Sequence, residues 1–132
     1  MADKGGDRFM ELKNRSQYLD KLISVQDMEV IKVVTGIRRC GKSSLLKLMM
    51  AHLREQGVME EQILSMNFES MQFADMDSKS LYQYVTERES KGKRLYLFLD
   101  EVQKVRDWQD AVNSFRVDLD CDIYVTCLLY TS

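Results

Sequence analysis

Val30-Ile31-Lys32-Val33-Val34-Thr35-Gly36-Ile37-Arg38-Arg39-Cys40-Gly41-Lys42-Ser43-Ser44-Leu45-Leu46 decides how this chain folds. Residues 36–43 match G-x-x-x-x-G-K-[ST] in full. An apolar run stands before them and a helix-like stretch, Ser44 to Met50, follows. That context makes the pattern a phosphate-binding signal rather than a chance turn. A strand delivers the chain to a tight loop, the loop turns its backbone N–H groups inward, and a helix N-terminus faces the anion. Gly36 and Gly41 suit backbone angles that other residues resist. The cradle is expected from Gly36, Ile37, Arg38, Arg39, Cys40, Gly41, Lys42, Ser43 and Ser44. Lys42 supplies a point charge for the β- and γ-phosphates, and the Ser43 hydroxyl is placed to ligate Mg²⁺.

A second motif, Arg94-Leu95-Tyr96-Leu97-Phe98-Leu99-Asp100-Glu101, lies downstream. Five apolar residues in a row fit a strand buried on both faces of a parallel sheet. The acidic pair falls at its C-terminal end, where open α/β sheets bind ligands. Asp100 is expected to hold Mg²⁺ through water, because magnesium keeps several of its waters. Glu101 is placed as general base for the water that attacks the γ-phosphate. Taken alone, Asp-Glu after a strand also reads as a solvated helix start.

The rest of the chain alternates strands with helices. A helix is expected over about Arg8 to Ser24, with Leu12, Leu19, Leu22 and Ile23 on one side. Strand one spans Val30 to Thr35. The next helix carries Leu45, Leu46, Met49, Met50 and Leu53 as an apolar stripe, stopped at Gly57. Strand two runs Ile63 to Phe68, and a helix follows over Ser80 to Glu89 with Asp77 and Ser78 as caps. Strand three is Leu95 to Leu99. Trp108, Ala111, Val112 and Phe115 stand on one helix face, capped by Asp107. Trp108 therefore reads as a core anchor rather than a platform for adenine. Strand four spans Asp122 to Thr126. The fold class is α/β, a mostly parallel sheet with helices on both faces.

Composition excludes several classes. The 132 residues make one domain or part of one, and 45% apolar residues suffice for a core. A net charge of −2 argues against an electrostatic grip on nucleic acid. Arg38 and Arg39 lie in the loop and face nucleotide or a neighbouring subunit; Lys91 to Arg94 reads as a solvated turn. No stretch reaches the ~18 apolar residues of a membrane span. The N-terminus is polar, without the apolar core of a signal peptide, so the cytoplasm is the expected location. Cys40, Cys121 and Cys127 fit no zinc spacing and no disulfide framework. Cys40 reads as a small loop residue, His52 as surface, and the nine methionines as packing.

These residues resemble a known family. Val33 to Leu46, Arg15 to Leu22, Met66-Asn67-Phe68-Glu69, Phe98-Leu99-Asp100-Glu101-Val102-Gln103-Lys104-Val105 and Asp122 to Thr126 together look like the AAA-type ATPase domain of a prokaryotic P-loop family. The similarity covers Arg15 to Thr126. It implies a P-loop NTPase core of the additional-strand type, with strand four between strands one and three. It also implies ATP and Mg²⁺ as ligands, and a C-terminal nuclease-like domain of unknown role. The expected activity is Mg-dependent ATP hydrolysis, weak in this segment alone; the alternative is a nucleotide-binding switch without significant turnover. No Asn-Lys-x-Asp guanine reader appears, and the carboxylate pair disfavours a small-molecule kinase.

Two departures stand out. The family carries Pro where this chain has Arg106. Its strand four ends Thr-Gly-Ser-[SN], whose polar residue senses the γ-phosphate, whereas here Thr126 precedes Cys127-Leu128-Leu129-Tyr130-Thr131-Ser132. Codons TGT-CTC-TTA-TAC-ACA-TCT would encode those six residues, and that string resembles the end of a transposase-based sequencing adapter; the rival reading is a divergent end that extends strand four with Leu128 and Leu129. The expected organisation is therefore a tail and helix start at 1–14, an incomplete ATPase core at 15–126 truncated after the fourth strand, and a non-native tail at 127–132. Sensor, arginine finger and any surface for self-association are expected in the part that is missing, and strand one is expected to stand at an unpaired sheet edge.

Overall fold

The computed structural model describes residues 15–35 and 41–128. Four helices alternate with four strands in chain order: α1 (Arg15–Ser24), β1 (Lys32–Thr35), α2 (Lys42–Glu55), β2 (Ile63–Asn67), α3 (Ser78–Arg88), β3 (Leu95–Asp100), α4 (Trp108–Asp118) and β4 (Cys121–Cys127). All strand pairs are parallel, in the order β1-β4-β3-β2. Strand four thus lies between strands one and three, and β1 forms an edge. The part of the first helix expected before Arg15, Leu12 included, lies outside the described residues.

Side chains that alternate along a strand build two cores. Leu95, Leu97 and Leu99 of β3 join Ile123, Val125 and Cys127 of β4 against Leu81, Val85, Ala111, Val112 and Phe115. Tyr96, Phe98 and Tyr124 face the other way, onto Leu22 of α1 and Leu45, Leu46, Met49, Met50 and Leu53 of α2. Phe98 and Tyr124 stack there, centroids 4.8 Å apart. Helices α1 and α2 therefore cover one face, and α3 and α4 the other. Trp108 belongs to the α3/α4 core, as its helical stripe implies. Asp100 and Thr126 share strand parity with Phe98 and Tyr124, so they fall on the α2 side of the sheet.

Local chemistry explains most boundaries. Helix α2 ends at Gly57 (φ 96), whose N–H donates to the Arg54 carbonyl at 3.0 Å while Val58 N–H reaches the Leu53 carbonyl at 3.0 Å. That is the paired closure a left-handed glycine allows. Asp77 caps α3 by accepting from Ser80 N–H at 3.0 Å, so the helix begins at Ser78, which is its first residue rather than a cap.

Asp107 stands at the start of α4 but makes no side-chain cap bond. Its backbone is left-handed (φ 58), not the extended form from which a capping side chain reaches back. Strand β1 starts two residues later than the apolar run suggests, and Val30 is exposed. Met49 and Met66 are packed, but Met71 is 88% exposed, so packing does not account for every methionine. Arg94, expected in a solvated turn, is tied to both Asp27 and Asp120.

A buried charge pair fixes the turn before β1. Lys32 and Asp122, both buried, bond to each other on adjacent strands. Asp122 also accepts from Tyr124 Oη at 2.6 Å and from Asp27 N–H at 3.0 Å, and Lys32 Nζ donates to the Met28 carbonyl at 2.7 Å. Each charge is partnered, which burial requires. Among the described residues no helix is long and apolar enough to cross a membrane.

Candidate functional site at the carboxyl ends of the strands

Gly41 is left-handed (φ 74) and its carbonyl accepts Leu45 N–H at 3.0 Å, which opens α2 at Lys42. The first N–H groups of α2, left without intrahelical acceptors, face the end of the sheet where a ligand anion is favoured. Gly36, Ile37, Arg38, Arg39 and Cys40 lie outside the described residues. Ser44 is half-buried in the first turn.

Lys42 is 2% exposed. Its Nζ donates to the Cys127 carbonyl at 3.1 Å and stands 3.9 Å from Glu101 Oε2. Ser43, one residue on, donates its hydroxyl to Asp100 Oδ2 at 2.5 Å. Two side chains at the start of α2 thus meet two at the end of β3, 57 residues apart for Ser43 and Asp100, beside the Cys127 carbonyl of β4.

Glu101 leaves β3 with a left-handed backbone (φ 59, ψ 48) and starts a short 3₁₀ turn, Val102–Lys104. A non-glycine residue in that region costs energy and is held by its surroundings. Here the restraint is visible: Glu101 N–H donates to Thr126 Oγ1 at 2.8 Å, and Thr126 in turn donates to Asp100 Oδ1. Gln103 Nε2 donates to Glu101 Oε1 at 2.7 Å. Thr126 and Gln103 are the residues that sequence reading missed. The signal for Thr126 is a hydroxyl inside the buried strand Asp122 to Cys127; for Gln103 it is only its place two residues after the acid.

Asp100 and Ser43 offer a carboxylate and a hydroxyl, both hard oxygen donors. Among the described residues no group of three or more His, Cys, Asp or Glu is placed for a metal. Magnesium binds through one or two protein groups and keeps its waters, so the two oxygens fit it on chemical grounds. The Cys127 thiol beside Lys42 is raised above its ordinary pKa, by burial first and then by Glu101, with Lys42 opposing. It packs in the core with Ile123 and Val125.

A family model described as "AAA domain" matches residues 29–127, most of the chain. A protein of Haemophilus influenzae (strain Rd), described as an uncharacterized protein, is 39% identical over 115 residues. That alignment covers 86% of this chain and 29% of the relative, so the chain spans under a third of the length of the curated relative it matches. No solved structure matches the chain.

Proposed function

This chain belongs to the AAA domain family, a family of ATPase-type nucleotide-binding domains, and from that membership we propose that it binds ATP on the Gly36 to Ser44 segment and hydrolyses it. The observation that carries the reading is the Ser43–Asp100 contact at 2.5 Å, which joins the helix start to the strand-end acid. With Lys42 and Glu101 3.9 Å apart, charge for the phosphates and a base for water stand side by side.

Each residue has a distinct task. Lys42 leaves the Cys127 carbonyl and Glu101 to meet the β- and γ-phosphates. Ser43 and Asp100 would hold Mg²⁺, which when bound would neutralise charge on the phosphate oxygens. The N–H groups at the start of α2 bind phosphate oxygens. Departure of Lys42 frees Glu101 Oε2 for a water in line with the γ-phosphorus. That water's oxygen bonds to phosphorus as the bond to the bridging oxygen breaks, and the electron pair leaves on ADP. Glu101 takes the water's proton and returns it to phosphate.

The test is ATP binding and hydrolysis with Mg²⁺, with and without an added phosphate acceptor. Lys42→Ala should lose nucleotide binding. Glu101→Gln should keep it and slow turnover by on the order of 10²–10⁴. Equal loss of binding in both variants contradicts these roles, and tight binding without turnover in the wild type favours the switch reading.

A further inference from the structure

Glu101 is held from both sides, and the second hold is unexplained by nucleotide chemistry. Oε2 faces Lys42, while Oε1 accepts the Gln103 amide at 2.7 Å. The same Gln103 amide accepts Leu128 N–H on Oε1 at 3.2 Å. Leu128 is the first residue after β4, and Gln103 is half-buried in the turn after β3. The amide's orientation follows from its partners: a backbone N–H needs the carbonyl oxygen, and a carboxylate needs the NH₂.

We infer that Gln103 is a positioning residue for the general base, tying Glu101 to the chain segment that leaves β4; this rests on the proposed ATPase reading. The geometry divides the carboxylate in two. When Lys42 turns to phosphate, Oε2 becomes available to water. Oε1 stays on Gln103 Nε2, so the carboxylate plane keeps its direction. Gln103 is itself fixed by the backbone N–H at position 128, a donor that any residue there except proline supplies, so the base is aligned only while the exit of β4 holds its place. A neutral donor does this without adding a charge beside Asp100 and Lys42. A carboxylate tethered at one oxygen loses less orientational freedom when it takes up its water, and small errors of placement are costly in such steps.

The experiment is a double-mutant cycle in the full-length protein, where turnover is not limited by the parts this segment lacks, read as kcat and KM for ATP. Gln103→Met keeps length and bulk and removes both hydrogen bonds; it should lower kcat on the order of 10²-fold with KM unchanged. Gln103→Glu keeps the shape and sets oxygen against oxygen; it should lower kcat in the same way, and it serves if the Met variant does not fold. Combined with Glu101→Gln, Gln103→Met should cause no further loss, because it acts only through Glu101. Additive losses, or a faster Gln103→Met enzyme, overturn the inference. If Glu101→Gln slows turnover and neither Gln103 variant does, this inference alone fails. If Glu101→Gln changes nothing, the ATPase reading fails first. A readout independent of turnover is the Gln103 side-chain amide resonances, which should move on Glu101→Gln in the folded protein; unchanged resonances contradict the tether.

Discussion

Asp100 ends β3 and Thr126 stands one residue before the end of the neighbouring β4, and the threonine hydroxyl donates to the carboxylate that Ser43 also reaches. The same hydroxyl accepts Glu101 N–H at 2.8 Å. One oxygen, fully buried, therefore orients the proposed metal ligand and the backbone of the proposed base together.

Replacing Thr126 by Val keeps the shape and removes those bonds. Asp100 Oδ1 and Glu101 N–H lose that buried partner, at a cost of about 1–3 kcal/mol. The urea midpoint should fall accordingly, and Thr126→Ser should recover most of it. An unchanged midpoint in the Val variant contradicts the structural role given to this hydroxyl.

Ser43→Ala removes a hydroxyl that donates to Asp100 Oδ2 in a part-buried bond, so stability should fall by about 1 kcal/mol. Mg-dependent ATP affinity should drop roughly tenfold or more, the scale of one lost bond to a charged group. Titration with and without Mg²⁺ checks this: the deficit should be present with the metal and small without it.

Lys32→Met leaves Asp122 charged and buried, without its lysine. Such a one-sided break costs about 3–5 kcal/mol. ATP affinity of the folded fraction should hold, because Lys32 opens β1 while the site lies beyond the other end of the strands. Chemical unfolding and nucleotide titration on the same preparation separate the two effects.

At high pH the same region should give way. Burial pushes the Tyr96 hydroxyl up to about 12 from 10.0, helped by its bond to Asp27 and that residue's charge, against Arg94. Burial takes the Cys121 thiol to about 11 from 9.0, and it raises Tyr124 too, with Asp122 adding to the effect. These groups are neutral when protonated, and the folded chain holds their protons more tightly. The unfolded chain releases protons first as pH passes 9.0 and then 10.0, so stability is intact below that range and falls as pH climbs toward about 12. Tyr96→Phe should reduce the slope. Tyrosinate absorbance appearing at the ordinary midpoint in folded protein contradicts the assignment.

The meeting of Lys42 and Ser43 with Asp100 and Glu101 was legible because each pair belongs to a local pattern with its own reason: a glycine-framed turn after a strand, and an acid pair ending an apolar run. The parallel sheet followed from the alternation of strands and helices. Its order, with β4 between β1 and β3, came from family resemblance and not from the pattern itself. What stayed hidden depends on register. Nothing near Thr126 in the chain announces that it will lie beside Asp100, 26 residues away. Lys32 and Asp122 meet across 90 residues, and an isolated charge in an apolar strand gives no hint of its partner. Asp107 was misread as a cap because residue type alone carries no backbone angle, and its φ of 58 is left-handed rather than extended.

The most direct measurement is a crystal structure of the chain with a non-hydrolysable ATP analogue and Mn²⁺ in place of Mg²⁺, the metal located by anomalous scattering. The account expects the triphosphate at the start of α2, Lys42 Nζ on its β- and γ-oxygens, and the metal held between the Ser43 hydroxyl and the Asp100 carboxylate. A metal bound away from Ser43 and Asp100, or phosphates seated elsewhere on the sheet, contradicts it.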